Sequence, residues 1–331
     1  MRDLERRYRQ LLWAYPAGYR QARAGEIVGT YLDLADPDRR WPSIFDAADV
    51  LAGGVRERLR AAGAADLIPG VRLAAVLSFI TATALAGFWG AAEVVTNSAS
   101  WGAPAFGPFA TTGVVLWSFW LLAAVVHVIA PARWARVAIG LALFLTVAVV
   151  PVAALFELPR PYLFVLVPQV TLGLLALAIP SDTARRQRLT PLAVASVAAL
   201  IAVGVLSEGS SWFYRFSYGA AFLPETGAAL LLTAMLAAIV LSLRGDARGL
   251  WALLVLLTPI GLLGLYPLTE NIAPVVGAGY ADFRVITGTT AAIFLVGGTT
   301  LAAALAIRAR SSAMADTRAL PVHERCPNCG K

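Results

Sequence analysis

Residues 134–157 read WARVAIGLALFLTVAVVPVAALFE. Between Arg136 and Glu157 lie 20 consecutive residues without a charged side chain, and a helix of about 20 apolar residues is long enough to cross a bilayer. Seven further apolar runs follow the same pattern. The predicted spans lie near residues 72–95, 109–130, 134–157, 161–180, 189–207, 226–243, 249–267 and 286–307. The chain is therefore expected to be all-α, a polytopic membrane helix bundle of about eight transmembrane helices.

The composition agrees with a membrane protein. Hydrophobic residues make up 59% of the chain, charged residues make up 14%, and the mean hydropathy is +0.71. A soluble domain has roughly 45–50% apolar and about 25% charged residues, so this excess would not fit inside a soluble core. The first 70 residues contain no long apolar run, and we expect no signal peptide there.

The distribution of basic residues predicts the orientation. With the N-terminus placed in the cytoplasm, 24 of the 27 basic residues fall in cytoplasmic segments. Only Arg160, Arg215 and Arg284 fall outside. Every cytoplasmic loop contains more basic residues than any outer loop. The positive-inside rule therefore predicts a multi-pass protein of the cell (plasma) membrane with both termini cytoplasmic. The chain then divides into a cytoplasmic Arg-rich helical domain (1–70), the transmembrane bundle (71–307) and a cytoplasmic tail (308–331).

The first 70 residues predict a small three-helix domain. Pro16 ends the first helix, and the third begins after Pro42. There Ser43 and Asp46 have the spacing of a capping pair. Apolar residues at helical spacing provide faces that can close a small core; on the first helix they are Leu4, Tyr8, Leu11, Leu12 and Tyr15.

The stretch ERRYRQLLWAYPAGYRQARAGEIVGTYLDLAD (residues 5–36) resembles the helical prefix domain that precedes transmembrane bundles in bacterial permease-like proteins. It is also similar to helical domains of membrane proteins partnered with PadR-type regulators, and to uncharacterised actinobacterial membrane proteins. The matching features are Leu11-Leu12, Tyr15-Pro16, Tyr19-Arg20 and Gly25-Glu26. The resemblance covers about 60 of 331 residues. It implies a cytoplasmic docking or regulatory module with a protein partner, and does not imply transport.

A second interpretation of this domain is a membrane-surface role, in which each Arg near anionic headgroups contributes about 1 kcal/mol. A nucleic-acid partner is not expected, because ten acidic residues up to Asp66 offset twelve Arg.

Short motifs recur in order and suggest a 4+4 internal repeat. Ser100-Trp101 recurs as Ser211-Trp212, and Ala135-Arg136 recurs as Ala247-Arg248. Four spans per repeat would give both halves the same orientation. The other interpretation is chance matching among Ala, Leu, Thr and Gly.

Trp101 and Trp212 lie in aromatic outer loops. These loops would form an interfacial aromatic belt, or a paired external lid over a cavity between the halves, where the two tryptophans would contact a ligand.

Few polar residues are expected within the bilayer. Glu93 lies near the outer end of its span, and the bilayer centre holds no carboxylate, which argues against a carboxylate-driven pump. Gln169 follows Pro168, so a helix kink beside an amide is a candidate ligand site; an interhelical hydrogen bond is the simpler interpretation. His127, near an inner span end, is a second candidate.

The tail carries HERCPNCGK, in which Cys326 and Cys329 resemble half of a zinc ribbon. His323 could be a third ligand, and a structural zinc site needs four. A homodimer with two copies of the tail could supply the rest, while a free reduced dithiol is the alternative.

No nucleotide-binding or hydrolase motif is present, so we do not expect an enzyme. The leading functional hypothesis is a permease-like or channel-like transport component. The second is a membrane-anchored sensor or regulator whose N-terminal domain docks a cytoplasmic partner.

Overall fold

A computed structural model describes residues 2–36, 39–95, 106–180, 185–207, 212–279 and 282–318. Their regular secondary structure is helical, and the only β-type pairing among the described residues is an isolated bridge between Phe106 and Phe109. The predicted all-α class is confirmed. The helices are α1 (Arg2–Leu11), α2 (Ala17–Asp33), α3 (Ile44–Ala61), α4 (Leu67–Val95), α5 (Gly113–Ile129), α6 (Ala132–Leu155), α7 (Leu163–Ala176), α8 (Arg185–Ser207), α9 (Trp212–Ser242), α10 (Arg248–Leu263), α11 (Leu265–Ile272) and α12 (Phe283–Arg318), with a 3₁₀ turn at Leu12–Ala14.

Every predicted span coincides with an apolar helix, but the helices differ in length. Five of those described, α4, α6, α8, α9 and α12, are long and apolar enough to cross a membrane. A sixth candidate is the pair α10 and α11, which is bent by 53° around Gly264. The remaining two, α5 with 17 residues and α7 with 14, are apolar but shorter.

The described residues form two compact units. One contains residues up to 68 together with the described residues from 301 onward, and the other contains residues 69–300. The first unit therefore includes the end of α12 as well as the three N-terminal helices.

The core of the first unit is built from α1, α2 and α3. Its buried apolar side chains are Leu4, Tyr8, Leu12, Tyr15, Val28 and Val50. The capping pair predicted for α3 is present: Ser43 Oγ accepts the Asp46 N–H at 3.0 Å, and Asp46 Oδ2 accepts the Ser43 N–H at 3.3 Å. The end of α12 packs on the turn before α4, where Arg308 Nε donates to the Gly63 carbonyl at 3.1 Å.

The second unit is organised around α4. In the most apolar window of α4, 67% of residues are buried, against 6% for α12, so α4 is central and α12 is peripheral. Small residues allow close packing of α4 on α8, where Gly87 lies against the backbone of Ala195. The ring of Phe88 stacks on Phe222 of α9, with centroids 3.8 Å apart.

Candidate functional site

A cavity of about 680 Å³ opens at one end of the bundle. This end, called here the arginine-rich end, is where Arg72, Arg136 and Arg248 lie; Arg136 reaches the Ile179 carbonyl at 3.3 Å, next to Pro180 in the cavity wall. The cavity is lined by Pro69, Arg72, Leu73, Val76, Ile80, Pro180, Gln187, Thr190, Ala237, Val240, Leu241 and Arg248. Its volume falls in the range of small-molecule sites, roughly 300–1,000 Å³.

One face of α4 forms the longest wall of the cavity. The lining residues Arg72, Leu73, Val76 and Ile80 recur at intervals of one to four residues and therefore lie along one side of the helix. Eight residues separate Arg72 from Ile80, a rise of about 12 Å. Ile80 lies midway along the candidate span Leu67–Val94. The cavity therefore reaches from the arginine-rich end to the middle of the central helix.

The charged groups of the cavity, Arg72 and Arg248, come from its outermost lining residues. Arg72 makes no ion pair within the described part of the chain. Arg248 Nε pairs with Asp246 Oδ2 at 2.7 Å, and Asp246 Oδ1 also accepts the Arg248 N–H at 2.9 Å. Gln187 and Thr190, near the start of α8, lie deeper, level with the middle of α4, because Thr83 Oγ1 donates to the Pro191 carbonyl at 3.3 Å. The deeper lining residues of α4 are aliphatic, so the charge, rather than all polarity, is confined to the outer end of the cavity.

The bundle is closed beyond the deep end of the cavity. On α4, the residues that follow Ile80 toward the other end include Ala82, Leu85 and Ala86, each with no exposed surface. The candidate residue Gln169 lies at this level, since its Nε2 donates to the Ala82 carbonyl at 3.2 Å. The interhelical hydrogen bond of the simpler interpretation of Gln169 is therefore present, between α7 and α4. Its Oε1 is buried and has no partner among the described residues.

The other sequence-predicted candidates do not line the cavity. His127 of α5 is buried, and its ring meets the ring of Phe79 edge-on, with centroids 5.3 Å apart. Trp212 is the first residue of α9, and its side chain is outside the described set, as is all of Trp101. The lid hypothesis for these two tryptophans stays a prediction.

The zinc hypothesis also falls outside the described residues, because His323, Cys326 and Cys329 follow residue 318. Within the ranges that the structure describes, no group of three or more His, Cys, Asp or Glu side chains could hold a metal ion. Zinc binding by the tail, alone or between two copies of the chain, stays a prediction.

At the opposite end of the bundle, Glu93 is more enclosed than its sequence position suggested. It is 7% exposed, and its carboxylate accepts the Thr111 N–H at 2.7 Å and the Thr111 hydroxyl. Thr111 precedes the start of α5, where unpaired N–H groups favour a negative charge. Glu93 thus links α4 to the segment that begins α5. The sequence signal for this contact is Thr111-Thr112-Gly113, directly before the apolar run of α5.

A second, smaller cavity of about 320 Å³ lies at this end, lined by Arg160, Pro161, Tyr162, Leu163, Phe164 and Ile286. Phe164 is fully buried beneath it. The described structure therefore has a cavity at each end and closely packed side chains between them.

Comparison with protein-family models, with curated proteins and with solved structures found no significant match to this chain.

Proposed function

We propose that this chain is an eight-span plasma-membrane protein with both termini in the cytoplasm, and that its bundle is a permease-like transport component. Its solute enters at the arginine-rich end, which the positive-inside rule assigns to the cytoplasm. The observation that carries the proposal is the cavity that runs from Arg72 to Ile80.

Side-chain exposure supports insertion in lipid. Large apolar residues point outward from the middle of the long helices: Phe144 is 65% exposed, Leu200 71%, Leu236 62% and Leu295 68%. A water-soluble protein rarely displays so much contiguous apolar surface. In a bilayer, these side chains contact acyl chains, while the backbone groups of the helices are satisfied internally.

The two short helices are counted as spans for two reasons. If either α5 or α7 failed to cross, later arginine-rich loops would fall on the outer side. Most of α7 is also buried among other helices, including Val165, Leu172 and Ala176. A helix shielded by protein does not need to match the full thickness of the hydrocarbon core on all sides, as a lipid-exposed helix does.

A cavity that is open at one end and closed near the bundle centre suits a carrier better than a channel. Alternating-access carriers hold their site near the midplane and open it to one side at a time, whereas a channel needs a continuous path. The packed residues Ala82, Leu85 and Ala86 interrupt any path along α4.

Cysteine accessibility tests this proposal. The chain contains only Cys326 and Cys329, so C326S/C329S supplies a cysteine-free background. In inverted membrane vesicles, a membrane-impermeant maleimide should label Ile80→Cys and should spare Leu85→Cys, whose position is fully buried. Labelling of Ile80→Cys only from the outer side, or equal labelling of both positions, would contradict a cavity that opens to the cytoplasm.

A regulatory role is the second candidate, and an exposed apolar surface on the N-terminal unit favours it. Trp41 is 67% exposed, Ile44 86% and Phe45 85%, and the Arg7 guanidinium lies 3.1 Å from the centre of the Trp41 ring. Arg40 adds a second exposed cation. This combination suits a cytoplasmic protein that presents acidic and apolar groups.

A photoreactive phenylalanine analogue at position 45 distinguishes the partners of this surface in cells. The regulatory role predicts a crosslink to one protein that is lost when Arg40 is replaced by Glu. Crosslinks to lipid alone would instead support the membrane-surface interpretation.

A further inference from the structure

We propose that the cavity at the arginine-rich end binds an anionic phospholipid of the cytoplasmic leaflet, with its phosphate at Arg72 and Arg248 and an acyl chain along Leu73, Val76 and Ile80. This assignment deepens the proposed function and rests on it, because the same cavity must open toward the cytoplasmic side.

The division of polarity within the cavity selects an amphiphile. The two arginines lie among the outer lining residues, while the deep part of the α4 wall is aliphatic. A small inorganic anion would leave the apolar α4 wall uncovered, and a neutral hydrocarbon would leave the Arg72 guanidinium and the terminal nitrogens of Arg248 without an acceptor. A ligand with a charged head and an apolar tail satisfies both parts.

The two arginines are available for an anion. Asp246 engages Arg248 only through Nε, at 2.7 Å, so that carboxylate orients the guanidinium while its two terminal nitrogens have no described partner. Arg72 has no ion pair in the described residues. Guanidinium groups match the oxygens of a phosphate through charge-assisted hydrogen bonds. Basic pockets between helices on the cytoplasmic side are a general mode of binding anionic headgroups.

The wall formed by α9 connects the cavity with the lipid-facing surface. Val240 lines the cavity and is also 49% exposed, and its neighbour Ile239 on the same helix is 54% exposed. An acyl chain can therefore pass from the membrane into the cavity along α9. This lateral opening favours a membrane lipid over a soluble anion as the source of the phosphate.

Native mass spectrometry of the full-length protein in detergent tests the inference. Phosphatidylglycerol should bind in preference to phosphatidylcholine with the same acyl chains, with 1:1 stoichiometry for the tightest site. Arg72→Gln and Arg248→Gln should each weaken phosphatidylglycerol binding about tenfold, the effect of one charge-assisted hydrogen bond, and leave the weak phosphatidylcholine binding unchanged. The matched control is Arg133→Gln, because Arg133 lies near the same end but does not line the cavity.

Two further arms identify the source of the phosphate and the role of the apolar wall. Inorganic phosphate at millimolar concentration should not displace the lipid. Val76→Trp should reduce lipid binding while both arginines remain. A thermal melt in lipid-free detergent shows whether each variant is folded, and only variants that melt like the wild type are compared.

Several outcomes would overturn the inference. These are equal binding of the two lipids, an equal loss in Arg133→Gln, displacement by inorganic phosphate, or unchanged binding in Val76→Trp. If Ile80→Cys is labelled from the cytoplasmic side but the lipid selectivity is absent, the proposed ligand class is wrong, while the cavity that opens to the cytoplasm is still supported. If Ile80→Cys is not labelled from that side, the proposed function itself fails.

Discussion

At the scale of single residues, Asp46 joins three parts of the N-terminal unit. Its carboxylate accepts hydrogen bonds from the Ser43 N–H, from the Tyr8 hydroxyl at 3.0 Å and from Arg39 at 3.4 Å. Hydrogen bonding to Ser43 is the main reason that the pKa of Asp46 lies below its ordinary value. Burial, and then the bond to Asp46, raise the pKa of Tyr8 to about 12.

We predict that Asp46→Asn destabilises the N-terminal unit by about 1 kcal/mol, the typical contribution of a helix cap. Because the folded pKa of Asp46 is lowered, its stabilisation is present above the unfolded pKa of about 3.9 and is lost as the pH falls through the folded pKa. Hydrogen exchange of the Asp46 and Ala47 amides should therefore be faster in the variant at pH 7, and the difference should shrink in acid.

The control for this change is Asp3→Asn, since Asp3 pairs with Arg6 on the exposed surface and contributes little. Equal exchange in Asp46→Asn and wild type at pH 7, or a difference that is unchanged in acid, would contradict the assigned role.

Single residues also show how far the sequence alone could lead. The capping pair of α3 was predictable because both partners lie within one turn of the chain. Gln169 stands out in the sequence as an amide beside a proline, but its partner, the Ala82 carbonyl, lies 87 residues away and depends on tertiary packing. In the sequence, Arg72 is only one of the cytoplasmic basic residues, because its place in a cavity wall depends on the positions of α9 and α10.

At the scale of helices, small residues set the distance between α4 and α8. A Cβ at Gly87 would collide with the Ala195 backbone, which cannot move without shifting α8. We predict that Gly87→Ala lowers stability by about 1–3 kcal/mol, the usual cost of overpacking, measured as a lower Tm in detergent.

Gly288→Ala is the matched control for that prediction. Gly288 also lies inside a helix, α12, but a Cβ there meets no atom within 4 Å. Its replacement should leave Tm unchanged or raise it, since Ala favours helix by up to about 1 kcal/mol. A Gly87→Ala protein as stable as Gly288→Ala would mean that α4 and α8 do not pack closely.

Helix existence was predictable from apolar runs, and helix extent was less so. Runs of about 20 apolar residues locate each helix, but α7 is shortened to Leu163–Ala176 by the prolines that flank it, Pro161 and Pro180. The break between α10 and α11 at Gly264 was not anticipated, because a bend of 53° depends on packing. Hydropathy reports the length of an apolar run, and it does not report where the backbone bends.

At the scale of the whole molecule, the proposed 4+4 repeat stays a prediction. Thr146 and Thr258 are separated by the same 112 positions as Ala135-Arg136 and Ala247-Arg248. Both threonines lie at helix–helix contacts, but their partners differ. Thr146 accepts the Trp120 indole N–H of α5 at 3.0 Å, whereas Thr258 lies against Gly297 of α12. The matched helices also differ in length, with 17 residues in α5 and 31 in α9.

The number of spans decides which side of the membrane the cavity, the exposed apolar surface of the N-terminal unit and the tail face, so membrane topology is the central claim. The direct measurement is side-specific maleimide labelling of single cysteines placed between successive helices in the C326S/C329S background. Positions 131, 182, 246 and 331 should react only from the cytoplasmic side, and positions 107, 159, 209 and 279 only from the outer side. If α5 did not cross, positions 107 and 131 would react from the same side of the membrane, and if α7 did not cross, positions 159 and 182 would do so; either result would contradict the account.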